Sequence, residues 1–229
     1  MSTEGAERRV IAIMAKMPRA GEVKTRLCPP LTLDEAAGLY HAFLLDKIEQ
    51  VRGLRAASHA IAYAPADGRG FFEGLAPDFV LIPQRGSDLG RRLLAGFDQF
   101  FADGYAGALL TDSDTPTLPG AFLQEALDLI SSADTDLVLG PSDDGGYYLI
   151  GLRTPRPELF LDMPWSTPQV LPETVRRAHT LGLRIAWLPP WFDVDTGPDL
   201  QRLGASLATT AVPRHTRRFF AARQACGPR

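Results

Sequence analysis

Ala106-Gly107-Ala108-Leu109-Leu110-Thr111-Asp112-Ser113-Asp114-Thr115-Pro116 is an apolar run that ends on two carboxylates and a proline. The apolar part predicts a short buried strand, and Pro116 stops it because proline lacks an N–H for the ladder and restricts the residue before it. In extended backbone, residues i and i+2 point the same way about 7 Å apart. Asp112 and Asp114 therefore converge on one ion or one pair of phosphate oxygens. Like charges so close favour a cation between them, and a hard divalent ion such as Mg2+ takes one or two carboxylates together with substrate phosphates. The competing reading is a turn and a helix cap, because Asp, Ser, Thr and Pro are turn residues and a helix is predicted near Leu118. Placement at the carboxyl end of a strand in an α/β sheet favours the site.

Outward from this stretch, strands and helices alternate. Val10 to Ala15 predicts a first strand, and Thr32 with Glu35 three residues on forms a capping box. Behind that box Ala36, Leu39, Tyr40, Phe43, Leu44, Ile48 and Val51 recur at helical spacing, which predicts a helix to about Arg52. Ser58 to Tyr63 and Phe79 to Ile82 read as strands, with a helical fragment at Phe71 to Leu75 between them. Gly86, Ser87 and Asp88 precede a helical stripe of Leu89, Leu93, Leu94, Phe97, Phe100 and Phe101, and Leu118 to Ile130 carries another. Leu137 to Leu139 and Tyr147 to Leu152 read as strands joined by a turn-rich connection. Thr167 to Leu181 reads as a helix with Pro168 at an early position and Gly182 as its stop, and Leu183 to Leu188 as the last strand. This alternation predicts an α/β fold with a mostly parallel sheet.

The 229 residues, 45% of them hydrophobic, suffice for one large domain without covalent staples. A net charge of −3 offers no general attraction to nucleic acid or an anionic membrane, so any affinity for phosphate has to be local. Two cysteines, Cys28 and Cys226, build neither a disulfide framework nor a Cys-x-x-Cys metal site. Met1 to Arg9 lacks the apolar core of a signal peptide, and no later segment approaches about 18 unbroken apolar residues. A cytoplasmic protein without a membrane span is the expectation.

Local basicity does occur. Lys16, Arg19, Lys24 and Arg26 fall in one loop after the first strand, where open α/β sheets place ligands. Gly21 allows the backbone to approach a phosphate, and Lys24 and Arg26 supply charge-assisted donors. The spacing is neither Walker A nor Gly-x-Gly-x-x-Gly, and a solvated loop is the competing reading. A second acidic group, Asp193 and Asp195 within Trp191 to Asp199, follows the last strand, so either becomes a further ligand if the strand ends are neighbours; Thr196 before Gly-Pro-Asp-Leu is also a helix-start signal. Asp143-Asp144-Gly145-Gly146-Tyr147-Tyr148 reads as a hairpin turn or as backbone and aromatic surface against a ligand. Trp165 and Ser166 are candidates for an acceptor wall, with Ser166 equally a cap for the next helix. His41 and His179 sit in predicted helices without a nucleophile partner and read as structural. The basic end, with Arg214, His215, Arg217, Arg218 and Arg223 around Phe219 and Phe220, reads as a terminal helix packing its phenylalanines.

Taken together, Lys16 to Leu27, Asp112 to Pro116, Gly140 to Gly151 and Asp193 to Leu200 resemble, in their order, the rSAM/selenodomain-associated transferase family of the GT-A-type nucleotide-diphospho-sugar transferase superfamily. The Lys-Thr-Arg-Leu loop and Asp-Val-Asp-Thr are also similar to 2-phospholactate guanylyltransferases and molybdenum-cofactor guanylyltransferases. The resemblance implies a single Rossmann-like GT-A-type α/β/α domain over residues 9–205, a short tail at 1–8 and a basic helical tail at 206–229. It implies a nucleotide held by Lys16, Arg19, Gly21, Lys24, Thr25, Arg26 and Ser87, and Mg2+ or Mn2+ on Asp112, Asp114 and Asp195. The acceptor side is Gly145, Gly146, Tyr147, Trp165 and Ser166; Lys24, Arg26, Asp112 and Asp114 are the catalytic candidates. The repeated-glycine loop of sugar nucleotidylyltransferases is reduced here to Gly21. The activity expected is transfer of a nucleoside monophosphate to a small phosphorylated acceptor with release of pyrophosphate. The alternatives are glycosyl transfer from a nucleotide sugar and nucleotide binding without turnover.

Overall fold

Eight residues of β1 (Arg9–Lys16) set the frame, because Val10 and Ala12 point to one face of the sheet and Ile11, Ile13 and Ala15 to the other, and both faces are buried. The computed structural model describes residues 7–207 and 213–225; residues 1–6 of the expected tail at 1–8, residues 208–212, and 226–229 with Cys226 lie outside the described residues. Seven strands form one sheet in the order β3-β2-β1-β4-β6-β5-β7: β2 (Ser58–Ala64), β3 (Val80–Pro83), β4 (Gly107–Thr111), β5 (Leu137–Pro141), β6 (Tyr147–Leu152) and β7 (Ile185–Trp187). All neighbours pair in parallel except β6, which runs antiparallel to β4 and β5. That reversal follows from the Asp-Gly-Gly connection, since a short turn can return the chain only antiparallel. The result is a single α/β domain with a mixed sheet; that it is α/β and mostly parallel is what the alternation predicts.

Helices cover both faces. α1 (Leu33–Arg52), α2 (Arg69–Leu75) and α4 (Gly120–Ser131) pack Leu44, Ile48, Phe72 and Leu123 against Ile11 and Ile13. α3 (Leu89–Ala102) and α5 (Val170–Thr180) pack Leu93, Phe97, Phe100 and Ala178 against Val10 and Ala12. The capping box at α1 forms as expected: the Thr32 side chain accepts from the Glu35 N–H at 3.1 Å, and Glu35 accepts from the Thr32 N–H at 2.8 Å. Asp88 caps α3 by accepting from the Arg91 N–H at 2.9 Å. Ser166 is not a cap: it is exposed in the left-handed region at φ 63, and α5 begins four residues later. Thr167 takes up the local bonding instead, donating to the Pro164 carbonyl at 2.7 Å.

The last two helices, α6 (Gly197–Leu207) and α7 (Arg214–Ala225), close a third cluster around α1 and the loop 23–31. Phe219 and Phe220 pack on it, and Arg214 and Arg223 pair with Glu49 and Glu35, so those cations of the basic tail serve the fold. Buried Asp46 of α1 caps α7, with its Oδ1 accepting from the His215 N–H at 2.9 Å and its Oδ2 from the Thr216 N–H at 2.8 Å and hydroxyl at 2.7 Å. Asp46→Ala is expected to cost about 1–2 kcal/mol, the upper range for a lost cap, and to expose Arg217 and Arg218 to trypsin. Unchanged urea midpoint and cleavage pattern would remove Asp46 from that role.

Candidate functional site

β4 delivers its two carboxylates to a turn whose backbone is tied on three sides. The Asp112 N–H donates to the Tyr148 carbonyl of β6 at 2.9 Å, and the Ser113 hydroxyl donates to the Met14 carbonyl of β1 at 3.1 Å. Ser113 has one hydrogen to give, so the hydroxyl of Tyr40, 2.9 Å away, donates to it in turn while accepting from the Lys16 N–H at 2.9 Å. This chain of bonds runs through the fully buried middle of α1 and fixes the ends of β1 and β4 relative to each other. The Val194 N–H donates to the Asp114 carbonyl at 3.0 Å, which docks the loop 193–196 on the same turn. Asp199 shapes that loop, its Oδ2 accepting from the Asp195 N–H at 3.2 Å, the Thr196 N–H at 2.8 Å and the Thr196 hydroxyl at 2.6 Å.

Asp114 and Asp195 thereby face one atom, the ammonium nitrogen of Lys24. Nζ lies 3.0 Å from Asp114 Oδ1 and 2.6 Å from Asp195 Oδ1, and the lysine side chain is 5% exposed. Burial alone lowers the pKa of an ammonium, but the two carboxylates outweigh it and hold Lys24 above its ordinary value. Lys24 is non-glycine in the left-handed region, φ 50, a conformation that costs on the order of 1 kcal/mol and that these ion pairs hold in place. Asp112 belongs to a different pair. Its Oδ1 accepts from the Thr115 hydroxyl at 2.7 Å and lies 3.7 Å from Nζ of Lys47, which itself donates to Thr115 at 2.8 Å. Lys47 is wholly buried and its pKa is lowered by that burial. Asp112 is raised to about 7, by burial first, with Asp114 and Asp193 adding and Lys47 opposing. Asp193 is raised to about 6 by burial and by Asp195, while the Ser142 hydroxyl donates to it at 3.1 Å.

The four loop cations separate. Arg19 turns to Asp67 at 2.8 Å, in the connection after β2, and Lys24 turns inward. Arg26 is 70% exposed with a nitrogen 3.6 Å from Asp195 Oδ2, while Thr25 and Gly21 are exposed beside it. Lys16 lines a cavity of about 330 Å³ at the carboxyl ends of β1 and β2, together with Met17, Glu22, Pro65, Gln84 and Arg92. Both amide hydrogens of Gln84 are committed, to the Ala62 carbonyl at 2.8 Å and the Ala15 carbonyl at 3.1 Å, so its Oε1 remains as an acceptor. Arg92 uses Nε on the Gly86 carbonyl at 3.1 Å, which leaves the end of its guanidinium for a ligand.

A second cavity of about 240 Å³ lies across the 86–92 turn, lined by Asp88, Arg91, Phe160 and Trp165 among others. Trp165 packs edge-on against Tyr147 with centroids 6.5 Å apart, which joins the hairpin to this wall. Gly145, at φ 90, is needed for close packing: an added Cβ would stand 2.6 Å from the Pro168 backbone, and its carbonyl accepts from the Leu171 N–H at 2.9 Å. Gly146 completes the turn by donating its N–H to Asp144 at 2.8 Å. Ser87 is exposed and bonds to Asp88 at 3.0 Å, beside the turn between the cavities.

The three acids assigned to a metal do not converge as a trio. Among the described residues, the one trio offering ligand atoms within 4.8 Å of one another is Asp46, Glu49 and His215, where Asp46 is fully engaged as the α7 cap. Asp114 and Asp195 nonetheless suit a hard divalent ion: both are about one-third exposed, both are oxygen donors directed at one point, and Asp114 Oδ1 is buried without a well-aligned hydrogen bond. Asp112 adds its charge from one side while its Oδ1 is held by Thr115. Tyr40, Lys47, Gln84 and Arg92 also stand here and carry no motif; Tyr40 falls in the helical stripe of α1, and Lys47 lies in the same helix.

A family profile described as "Uncharacterized protein conserved in bacteria (DUF2064)" matches residues 47–167. No curated protein matches the sequence. A protein of Desulfovibrio desulfuricans G20, provisionally described as a nucleotide-diphospho-sugar transferase, is 34% identical with a TM-score of 0.88, over 95% of each chain. CMP:2-keto-3-deoxy-manno-octonic acid synthetase complexed with CTP is 12% identical with a TM-score of 0.56, over 88% of this chain and 98% of that one. Glucosyl-3-phosphoglycerate synthase of Mycobacterium tuberculosis, in complex with Mn2+, UDP and glucosyl-3-phosphoglycerate, is 13% identical with a TM-score of 0.51, over 94% and 78%. At those lower identities the likeness is one of fold. No helix among the described residues is long and apolar enough to cross a membrane.

Proposed function

The chain belongs to the DUF2064 family, and from that premise we propose that it is a metal-dependent nucleotidyltransferase. Its reaction joins a nucleoside monophosphate, taken from a triphosphate, to a small phosphorylated acceptor. The observation that carries this reading is that one loop, 16–26, lines the 330 Å³ cavity and also inserts Lys24 between Asp114, just past β4, and Asp195, in the loop after β7. A nucleoside in the cavity, met by the Gln84 acceptor and the Arg92 guanidinium, has its phosphates directed along Lys16 and Arg26 towards Asp114 and Asp195. Mg2+ or Mn2+ held there, with Asp112 beside it, supplies neutralisation of charge at the transferring phosphorus and the leaving pyrophosphate. An acceptor phosphate is already ionised and needs no general base: its oxygen forms the new bond to the α-phosphorus, and the bonding pair leaves with pyrophosphate. The acceptor occupies the second cavity, across the 86–92 turn and against Trp165. The finer kinship to rSAM/selenodomain-associated transferases rests on the order of Lys16 to Leu27, Asp112 to Pro116, Gly140 to Gly151 and Asp193 to Leu200.

Glycosyl transfer from a nucleotide sugar is the second reading, favoured by the description of the relative that shares 34% of its sequence. Thermal unfolding with each of the four nucleoside triphosphates and with UDP- and GDP-sugars, with and without Mn2+, separates the two. At 100-fold saturation a ligand adds about 2.7 kcal/mol, a Tm shift on the order of 5 °C or more for a chain of this size. One triphosphate is expected to give that shift only with Mn2+, and labelled pyrophosphate to exchange into it once nucleotidylated product is present. Turnover of a nucleotide sugar without pyrophosphate release from any triphosphate would replace nucleotidyl transfer by glycosyl transfer.

A further inference from the structure

Three of the 24 basic residues are lysines, Lys16, Lys24 and Lys47, and all three stand at the site. Elsewhere the chain uses arginine, whose charge sits on a broad planar fork; an ammonium is compact and fits between two carboxylates much as a metal ion does. Lys24 fills that position. Its contacts to Asp114 and Asp195 are 3.0 and 2.6 Å, yet Asp114 Oδ1 receives no well-aligned hydrogen bond from it, so the ammonium is a charge partner rather than an ideal donor there. The balance is incomplete as well. Two carboxylates face one buried positive charge, and Arg26, at 3.6 Å and 70% exposed, contributes a screened second one.

We propose that Lys24 is an exchangeable internal counter-ion: a divalent ion binds Asp114 and Asp195 by displacing its ammonium, which then turns outward to the phosphates of the nucleotide. This rests on the metal site of the proposed transferase. It gives one side chain two successive partners and couples the two ligands, because a metal that frees the lysine raises affinity for a phosphate, and by reciprocity the phosphate raises affinity for the metal. The left-handed backbone at Lys24 matches such a role, since leaving the carboxylates removes the contacts that hold an unfavourable conformation.

Amine acylation mapped by mass spectrometry tests this on the unaltered protein. With a chelator present, Lys16 is expected to acylate, while Lys24, sealed and held protonated by its carboxylates, and Lys47, wholly buried, are protected. Adding Mn2+ is expected to raise the rate at Lys24 about tenfold or more, the scale of a 1.4 kcal/mol shift, and to leave Lys16 and Lys47 unchanged. The size of the competition comes from Lys24→Met, which is expected to bind Mn2+ more tightly than the parent in calorimetry without nucleotide and to lose the further tightening that a triphosphate produces. A lysine that merely braces the loop would give weaker Mn2+ binding in the variant. Mn2+ bound by the parent with no change in Lys24 acylation overturns the exchange and leaves the metal site standing. Absence of Mn2+ binding in both proteins overturns the metal site, and the exchange with it.

Discussion

Asp114→Asn is expected to lower metal-dependent turnover by about 10²-fold or more while the protein still folds. Asparagine keeps the size of the side chain, and the bond that docks the 193–196 loop involves the Asp114 backbone carbonyl, which the substitution leaves in place. What is lost is the negative charge facing Lys24 and the divalent ion. The effect should therefore appear in kcat, because the charge neutralised by the ion grows as the bond to pyrophosphate breaks. Asp195→Asn should match it, the two carboxylates being the pair that meets at one point. Asp199→Ala belongs between these variants and the parent: its carboxylate holds the backbone of Asp195 and Thr196, so its loss loosens the loop that presents Asp195. Steady-state rates at saturating Mn2+, with circular dichroism as the control for folding, decide the matter. A loss of less than tenfold in both Asn variants would remove Asp114 and Asp195 from the reaction.

The framework was legible because its signals are local. Thr32 and Glu35 announce α1 within four residues, the run ending at Asp112 announces β4, and the Asp-Gly-Gly turn announces the antiparallel strand that makes the sheet mixed. The site was legible as a set of motifs but not as a set of contacts. Lys24, counted among phosphate clamps from its loop, is buried by Asp195, 171 positions later in the chain, and no window of sequence contains both. Arg19 is diverted by Asp67 for the same reason. Lys47 and Tyr40 escaped because a helix places on the sheet face both residues that complete a stripe and residues that reach past it. Only the packing of α1 on β1 and β4 shows that their polar ends arrive at Ser113 and Thr115. Ser166 failed as a cap because α5 starts only at Val170, four residues on, and the local bonding fell to Thr167.

Lys47→Met is expected to destabilise the protein by about 3 kcal/mol at pH 8.5, the lower range for breaking a buried ion pair by removing one partner, and by much less at pH 5.5. The sign follows from Asp112. Burial, with Asp114 and Asp193, raises its folded pKa from 3.8 to about 7, against the opposition of Lys47 and Thr115. Between those values the folded protein binds more protons than the unfolded chain, so the stability this carboxyl contributes is fully present below pH 3.8 and is lost as pH rises through about 7. Above that the contribution of the parent protein is flat. Without Lys47 the folded pKa moves higher still, and the variant goes on losing stability where the parent no longer does. At pH 5.5 Asp112 is largely protonated in both, and the lysine stands buried with little charge to meet, so its removal has a small cost or none. Methionine fills much the same volume, which keeps a cavity from supplying the difference. Urea midpoints at the two pH values measure it, and in an Asp112→Asn background the pH dependence should vanish. A loss equal at both pH values would mean that Lys47 acts through packing alone, and that Asp112 is positioned by Thr115 without it.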